Sequence, residues 1–151
     1  MIVRPATEAD VEAMAGVAER SYRAGFAEIL EPDVLATRDA AFFAGRFSHS
    51  LARMRVAETA EQVVGFTLVT DGHIDMIFVD PERAASGAGS ALLTQAEADG
   101  ARTLECFRDN HAARQFYERR GWRLTREYER EFLGRRRAFV FYERPRRGSR
   151  S

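Results

Sequence analysis

The amino-acid sequence predicts a single α+β domain in which helices cover a mostly antiparallel sheet. Three observations support this fold class. Apolar residues recur at helical spacing near the N-terminus and switch to strand alternation from about residue 53. Turn signals then separate three successive strands, which is typical of antiparallel neighbours. The 151 residues are 45% hydrophobic, which is enough for one well-packed domain and too little for two.

The predicted elements run in the order strand, two helices, three strands, helix, strand, helix and two strands. The strands cover residues 2–4, 53–58, 62–69, 73–79, 103–106, 122–132 and 136–143. The helices cover residues 11–24, 34–49, 89–98 and 111–120. Because no repeat or linker interrupts this series, residues 1–144 are predicted to form one domain.

The first helix is marked by a cap and by its apolar spacing. Thr7 followed by Asp10 forms a helix-capping pair. Met14 and Ala18 then lie on one helical face. The Glu-Pro-Asp sequence at 31–33 interrupts the helical pattern, so a second helix is predicted after it.

Turn residues define the later elements. Asp71-Gly72 is a two-residue hairpin signal, so the strand that follows it pairs antiparallel with the one before. Gly100 and Gly121 follow the last residues of two helices, and Asn110 precedes one as its cap. Gly134 joins the last two strands.

The charge balance argues against nucleic-acid binding. All 23 basic residues are arginine and 23 residues are acidic, so the formal net charge is zero. Eleven arginines but only four acidic residues lie from Arg120 to the end. Solvated strand faces and an acidic partner both fit that excess, and the pattern favours solvated faces. The last residues, 145–151, are expected to be a disordered basic tail.

Other features of the sequence indicate the cellular compartment and the possible partners. The single cysteine, Cys106, allows no internal disulfide and fits a reducing compartment. No apolar stretch is long enough to cross a bilayer, so a cytoplasmic protein with no membrane partner is expected. His49 and His111 lack partners at zinc spacing, and no metal site is predicted. The pattern leaves the oligomeric state open, and a homodimer is compatible with it.

The most informative segment, residues 73–93, runs from a strand through a glycine-bearing turn into a helix. Gly87 and Gly89 have no Cβ, so an anion can approach the main chain closely. The first N–H groups of a helix have no partner within it and, with the helix dipole, attract phosphate. The absence of lysine excludes a Walker loop, and Leu92 excludes the dinucleotide fingerprint. A tight loop in which glycine only relieves crowding is the alternative.

This segment resembles the acyl-CoA-binding motif of the GCN5-related N-acetyltransferases (GNAT). In that family a strand ending in Val leads through an acidic-Pro turn to Gln/Arg-x-x-Gly-x-Gly/Ala at a helix start. The matching residues are Val79, Asp80, Pro81, Gly87 and Gly89. Two positions depart from the motif, since Ala84 stands where Gln or Arg is usual and Ala85 where a further Gly is common.

The resemblance covers essentially the whole chain. It implies a GNAT-like fold, with a central, mostly antiparallel, twisted sheet of about seven strands, helices on both faces and a splay at the central strands. It also implies acetyl-CoA as the acetyl donor. The residues that would bind it are Ile77, Phe78, Val79, Ala84, Ala85, Ser86, Gly87, Ala88, Gly89, Ser90, Asn110, Phe116 and Tyr117.

A second stretch, residues 110–122, reads N-x-x-A-x-x-F-Y-x-x-x-G-W. It resembles the family's second cofactor-side motif, N-x-x-A-x-x-F/L-Y-x-x-x-G-F. By that resemblance Tyr117 protonates the departing CoA thiolate, and Asn110 contacts the pantetheine arm. A core tyrosine with a satisfied hydroxyl and a simple helix cap are the alternatives.

Removal of a proton from an amine needs a base, and His73 is the candidate. In the resembled family a Glu often stands six residues before the Val that ends the central strand, and here that position is His73. Imidazole exchanges its proton near neutral pH. Asp75 lies on the same strand face, where it would orient His73 or bind the substrate ammonium. The alternatives are a merely polar His73 and water as the base.

The resemblance implies that the acceptor pocket falls in the least patterned region, residues 24–50. Its aromatic cluster favours core packing, while the resemblance makes the same side chains candidates for substrate binding. These residues are Phe26, Phe42, Phe43 and Phe47. The predicted function is acetyl transfer to a primary amine of a small molecule by direct attack on the thioester. Acetylation of peptide or protein amines, steered by exposed arginines at 135–137, and a non-catalytic acyl-CoA sensor are the alternatives.

Overall fold

The computed structural model describes residues 1–145 and shows one seven-stranded sheet in the order β1-β2-β3-β4-β5-β7-β6. The strands are β1 Ile2–Pro5, β2 Met54–Thr59, β3 Gln62–Thr70, β4 His73–Val79, β5 Thr103–Phe107, β6 Arg123–Phe132 and β7 Arg135–Glu143. The helices are α1 Val11–Gly25, α2 Pro32–Thr37, α3 Ala40–Phe47, α4 Ala88–Ala98 and α5 His111–Arg119. The predicted α+β class and strand count are confirmed. Except for Pro145, the predicted basic tail lies outside the described residues.

The predicted helix over 34–49 is two helices. Pro32 occupies the first turn of α2, which ends with Arg38 as its C-cap. Asp39 then caps α3, because its side chain accepts a hydrogen bond from the Phe42 main-chain N–H at 2.9 Å. An N-cap aspartate inside an otherwise helical pattern therefore restarts the helix instead of continuing it.

Two-residue turns set the antiparallel registers, as predicted. Asp71 and Gly72 both have positive φ and join β3 to β4. Leu133 and Gly134 do the same between β6 and β7. The hairpins place β2, β3 and β4 side by side in chain order.

Helices cover both faces of the sheet. On one face, α1 and α3 pack on an aromatic core that includes the fully buried Phe43, Phe47 and Phe66. On the other face, α4 and α5 pack against Ile74 and Val140. We call these the α1 face and the α4 face.

The sheet opens between β4 and β5, as predicted for the central strands. These two strands run parallel and pair only at His73↔Thr103 and Ile74↔Leu104. Beyond that point they diverge and leave a gap at the ends of both strands. A register shift between β3 and β4 leaves Asp75 without a partner on β3, so a β-bulge stands at the start of the gap.

Candidate active site

A cavity of about 860 Å³ passes through the gap between β4 and β5. Its lining comes from both faces of the sheet, with Phe107 and Phe139 on the α1 face and Tyr117 and Leu104 on the α4 face. Its two ends differ in chemistry. We call the end at Gly87 and Gly89 the glycine end, and the end at the phenylalanines of β5, β6 and β7 the aromatic end.

The glycine end is the N-terminus of α4. Gly87 is its N-cap in the left-handed conformation, with φ of 85°, which disfavours any residue with a Cβ. The main-chain N–H groups of the first turn, including Gly89 and Ser90, have no partner within the helix. A Cβ at Gly89 would lie 3.4 Å from the Phe116 ring and 3.7 Å from Val79 Cγ2. Glycine thus keeps open the cleft between α4, β4 and α5.

A buried carboxylate anchors the turn that leads into α4. The Asp80 side chain is only 3% exposed and bonds Arg20 Nη2 of α1 at 2.8 Å. It also accepts from the Glu82 main-chain N–H at 3.1 Å. Burial alone would raise the pKa of the Asp80 carboxyl, but the hydrogen bond from Arg20 and that N–H hold the pKa below its ordinary value of 3.8. The charged Asp80 therefore ties this turn to α1.

The edge of β4 presents main-chain groups to the gap. The Asp80 N–H donates to Val64 O at 2.8 Å, toward β3. Main-chain groups alternate sides along an antiparallel strand, so Phe78 also faces β3 while Ile77 and Val79 face the gap. The N–H groups of both residues and the C=O of Ile77 are available to an extended ligand, while the Val79 C=O accepts a hydrogen bond from the Ser21 hydroxyl at 3.2 Å.

Most residues predicted to bind acetyl-CoA lie together on this cavity. The lining contains Ile77, Phe78, Val79, Ala84, Gly87, Gly89, Ser90, Asn110, Phe116 and Tyr117. Three predicted residues lie outside the lining. Ala88 is fully buried beneath the turn, and the Ser86 hydroxyl accepts a hydrogen bond from the Ala88 N–H at 3.3 Å, next to the exposed Ala85.

Arg120 was missed by the sequence reasoning and lies at the glycine end. Its guanidinium carbon is 3.9 Å from the centroid of the Phe116 ring, and its Nη2 donates to the Ser90 hydroxyl. The signal was local, because Arg120 follows Phe116 by one helical turn and both residues line the cavity. This places a cation beside the first turn of α4.

Tyr117 of α5 lines the cavity. Its side chain is 7% exposed, and its hydroxyl makes no hydrogen bond to another residue in the described range. Burial raises the pKa of Tyr117 above its ordinary value, so the hydroxyl keeps its proton at neutral pH.

Burial also raises the pKa of the nearby Cys106 thiol to about 12, which makes Cys106 a poor nucleophile. Asn110 caps α5 by accepting from the Ala113 N–H at 3.3 Å.

The aromatic end is walled by four phenylalanines from different elements. Ring centroids lie 5.0 Å apart for Phe26 and Phe107, 5.0 Å for Phe107 and Phe139, and 5.8 Å for Phe132 and Phe139. Phe26, Phe107 and Phe139 are all less than 9% exposed. These contacts make a rigid apolar wall on the α1 face of the gap.

The other phenylalanines predicted to bind substrate lie elsewhere. Phe43 and Phe47 are fully buried in the core under α3 and do not line the cavity, so of the two predicted roles they take core packing. Phe42 is 37% exposed, and Arg38 lies 4.2 Å from its ring centroid. Only Phe26 of the four faces the cavity.

The structure does not pair His73 with Asp75. His73 Nδ1 lies 2.8 Å from Thr103 Oγ1, its ring stacks on Phe141, and it is outside the cavity lining. Asp75 does line the cavity, and its carboxylate accepts a hydrogen bond from the Thr70 hydroxyl at 2.6 Å. Asp75 therefore does not orient the imidazole.

Glu105 of β5 is a second functional candidate that the sequence reasoning missed. It lines the cavity, and its carboxylate accepts from Arg130 Nη2 at 2.5 Å, from Arg130 Nε at 3.0 Å and from the Tyr128 hydroxyl. Arg130 lies 25 residues away on β6, so no local pattern signals this group.

An ion pair lies beside the aromatic end, outside the cavity lining. Arg137, predicted to be an exposed steering residue, is instead 8% exposed. It bonds Glu31 through Nη2 at 2.7 Å and Nη1 at 3.1 Å, and the Phe132 carbonyl through Nε at 2.7 Å. A guanidinium buried beside the β6–β7 turn needs these acceptors. The bond ties the loop after Phe26 to the hairpin that carries Phe132.

Two further observations concern metal ions and membranes. Within residues 1–145, no group of three or more His, Cys, Asp or Glu side chains is placed to hold a metal ion. The helices of the same region include none that is long and apolar enough to span a bilayer.

This fold and cavity agree with the comparison to known families. The model of the family described as "Acetyltransferase (GNAT) domain" matches residues 14–137. The chain belongs to this family and is an acetyl-CoA-dependent N-acetyltransferase that acts on amines. Among curated proteins, no relative matches the sequence.

Solved structures share the fold over nearly the whole chain. The apo form of YjaB from Escherichia coli has a TM-score of 0.81 at 22% identity and covers 95% of this chain and 97% of its own. PaiA N-acetyltransferase from Thermoplasma acidophilum, in complex with coenzyme A, has a TM-score of 0.75 at 15% identity, covering 95% and 98%. Ribosomal-protein-alanine N-acetyltransferase from Brucella melitensis has a TM-score of 0.65 at 20% identity, covering 95% and 99%. At these identities the likeness shows the fold alone.

Proposed function

We propose that the protein transfers the acetyl group of acetyl-CoA directly to a primary amine of a small molecule. One observation carries this proposal. A single cavity joins an anion-binding helix start, a protonated tyrosine and an apolar end with two carboxylates, Asp75 and Glu105, through a gap in the sheet. The two substrates can therefore meet at the gap.

The glycine end fits the diphosphate of coenzyme A. Free N–H groups at the first turn of α4 and the nearby Arg120 supply donors and positive charge, and the missing Cβ of Gly89 leaves room for phosphate oxygens. Gly87, Ser90 and Asn110 complete this side, and the edge of β4 would hold the pantetheine as an extra strand. Acetyl-CoA supplies the activated acetyl group as a thioester.

The gap side of β4 offers donors for a carbonyl oxygen. The main-chain N–H groups of Ile77 and Val79 face the gap, whereas that of Phe78 faces β3. A hydrogen bond from Ile77 or Val79 would polarise the thioester carbonyl. Because these donors belong to the main chain, side-chain substitution at either residue would leave them in place.

The proton steps follow from the same residues. As the amine nitrogen bonds to the acetyl carbon, the carbon–sulfur bond breaks, and the substrate ammonium loses two protons in total. One of them ends on the sulfur and the other goes to solvent. Tyr117 gives its proton to the departing sulfur and regains one from the nitrogen side, since its hydroxyl is protonated and without a partner. The protonated Cys106 forms no acetyl-enzyme.

Water is the proposed carrier of the first proton. His73 is bonded to Thr103 and does not line the cavity, so it does not touch a bound amine. Asp75 does line it and is exposed, which allows a water chain from the gap to solvent.

Acetylation of a peptide or protein amino terminus is the second candidate. It is favoured by the fold similarity to an enzyme whose name specifies a ribosomal-protein alanine as its target. The aromatic end is lined by buried phenylalanines and carries only two carboxylates, which suits a small amine better than an extended peptide. We therefore rank the small-molecule acceptor first.

Thiol release tests the proposal. Acetyl-CoA is incubated with the protein and a panel of small amines and peptides, and free CoA thiol is measured over the rate without amine. We expect release with at least one small amine and weaker release with peptides. A rise in melting temperature with acetyl-CoA but no release with any amine would instead indicate a non-catalytic sensor.

A further inference from the structure

The start of the gap holds two carboxylates in facing positions. The last β4–β5 pair is Ile74↔Leu104, and the next residues on the two strands are Asp75 and Glu105. Both line the cavity. The same cavity also contains the unpartnered hydroxyl of Tyr117, a side chain more than nine-tenths buried. Polar groups from both strands and from α5 thus line one cavity.

The partners of Glu105 leave room for one more donor. A carboxylate offers about four lone-pair sites. Arg130 Nε and the Tyr128 hydroxyl occupy Oε2, and Arg130 Nη2 occupies one site of Oε1. The remaining site on Oε1 can accept a single N–H from a ligand.

Glu105 is charged at neutral pH. Burial would raise the pKa of its carboxyl, but the hydrogen bonds from Arg130 and Tyr128 and the Arg130 charge hold the pKa below its ordinary value. Arg130 compensates part of this charge, so the carboxylate is a weak general base that can still accept one hydrogen bond from an ammonium. Its role is therefore to position the amine.

The charges around the cavity oppose a ligand with several positive groups. The described lining contains two carboxylates, Asp75 and Glu105, and three arginines, Arg46, Arg120 and Arg130. A second ammonium on the same molecule would meet an arginine more often than a free carboxylate. The adjoining wall is instead apolar and aromatic. The ring centroids of Phe26, Phe132 and Phe139 lie 5.0, 5.8 and 5.0 Å from that of Phe107.

We propose that the aromatic end binds an amine with one ammonium group on an aromatic body, with Glu105 receiving the ammonium and the phenylalanine wall receiving the ring. This inference rests on the acetyl transfer proposed above and names its acceptor class. Glu105 acts as a specificity-determining residue, and the wall selects the body of the molecule by burial and ring contact.

The test compares three amines on the unaltered protein, with thiol release as the readout. 2-Phenylethylamine and propylamine carry the same charge and differ in the ring, while spermidine carries several charges. We expect kcat/KM for 2-phenylethylamine to exceed that for propylamine by about tenfold or more, because the ring is buried, and spermidine to be the poorest. Equal values for the first two, or a preference for spermidine or a peptide, would overturn this inference and leave acetyl transfer standing. No release with any amine would overturn both.

A matched pair of variants tests whether Glu105 binds the amine. Glu105→Gln keeps the shape and an acceptor for Arg130 and Tyr128 but removes the charge. It should raise KM for 2-phenylethylamine about tenfold and leave KM for acetyl-CoA within about twofold. Glu127→Gln, at an exposed carboxylate of β6 outside the lining, should change neither. An unchanged amine KM in Glu105→Gln would remove Glu105 from the acceptor site. The three-amine comparison does not depend on the folding of any variant.

Discussion

The two ends of the cavity are built from different parts of the polypeptide. At the glycine end, the proposed binding groups are mainly main-chain N–H groups of α4 and β4, next to a turn that the buried Asp80 holds in place. At the aromatic end, they are side chains from α1, β5, β6 and β7, including Glu105 and Phe139. The main-chain donors of the first end suit a phosphate of the thioester carrier, whereas the specificity of the second end depends on individual side chains.

This difference implies different responses to substitution. A main-chain site tolerates most side-chain changes and fails when a Cβ is added or the turn is released. In a side-chain site, each substitution removes one contact with the ligand and leaves the others in place. Tyr117 lines the same cavity, and its proposed role as proton donor to the departing sulfur involves both substrates.

Replacing Tyr117 by phenylalanine should have the largest effect on turnover. The change keeps the buried ring and removes only the proton donor. We expect kcat to fall about a hundredfold, since a positioned acid contributes at least that much, with KM for acetyl-CoA within about twofold. Steady-state kinetics with acetyl-CoA varied at saturating amine measure both. An unaffected kcat would take Tyr117 out of the proton path.

Asp80→Asn should loosen the glycine end by releasing its turn. The loss of the charged bond to Arg20 should lower the free energy of unfolding by about 1 to 2 kcal/mol, a value reduced because Arg20 is 42% exposed. Asp99→Asn breaks an Arg–Asp pair that is about one-third exposed on both sides, and should cost less than about 1 kcal/mol. Urea denaturation of both variants gives the comparison, and equal losses would contradict the anchoring role.

The same variant has a pH signature. The pKa of the Asp80 carboxyl is lower in the folded protein than its ordinary value of 3.8. Its contribution is therefore complete above about pH 4 and is lost as the pH falls through the folded pKa. The difference between the unaltered protein and Asp80→Asn should be constant near neutral pH and shrink in acid. A difference that grew in acid would contradict this account.

Glu31→Gln should act on the aromatic end alone and more weakly. The bond to Arg137 holds the pKa of Glu31 to about 2, so the carboxylate stays charged throughout the working range. Loss of the bond between Glu31 and Arg137 should let the phenylalanine wall move more and so raise KM for an aromatic amine about threefold. KM for acetyl-CoA should be unchanged. Glu28→Gln, a neighbour in the same loop, serves as the comparison. Equal effects of the two variants would show that the ion pair does not shape the site.

His73→Ala should have the smallest effect. Because the imidazole bonds Thr103 outside the cavity, we expect kcat/KM for the amine to change less than about threefold and its pH profile to keep its shape. Loss of one limb of that profile would instead make His73 the general base.

The glycine end could be predicted from the sequence because its signals are local. A strand ending at Val79, the Asp-Pro turn and two glycines lie within eleven residues, and the glycines act through the main chain of their own segment. The same holds for the hairpins, whose turns depend on two residues each. Such features need no knowledge of distant contacts. The bond from Asp80 to Arg20 of α1 is the long-range part of the glycine end, which this local pattern does not show.

The aromatic end could not be predicted in the same way. Glu105 lies in an apolar-leaning strand, and its partners Tyr128 and Arg130 are 23 and 25 residues further along the chain. Phe43 and Phe26 have similar sequence surroundings, yet one packs in the core and the other lines the cavity. Which side a phenylalanine faces depends on how α1 and α3 sit on the sheet. The break at Asp39 was missed for a related reason, since its cap competes with an otherwise helical pattern.

Calorimetric titration with acetyl-CoA tests most directly whether the two ends are separate sites. The unaltered protein and Glu105→Gln should bind acetyl-CoA with dissociation constants within about twofold of each other. Gly89→Val, which fills the space facing Phe116 and Val79, should weaken binding about a hundredfold, whereas Gly45→Val, with nothing within 4 Å of its Cβ position, should not. No binding to the unaltered protein at millimolar acetyl-CoA, or full affinity in Gly89→Val, would contradict the account.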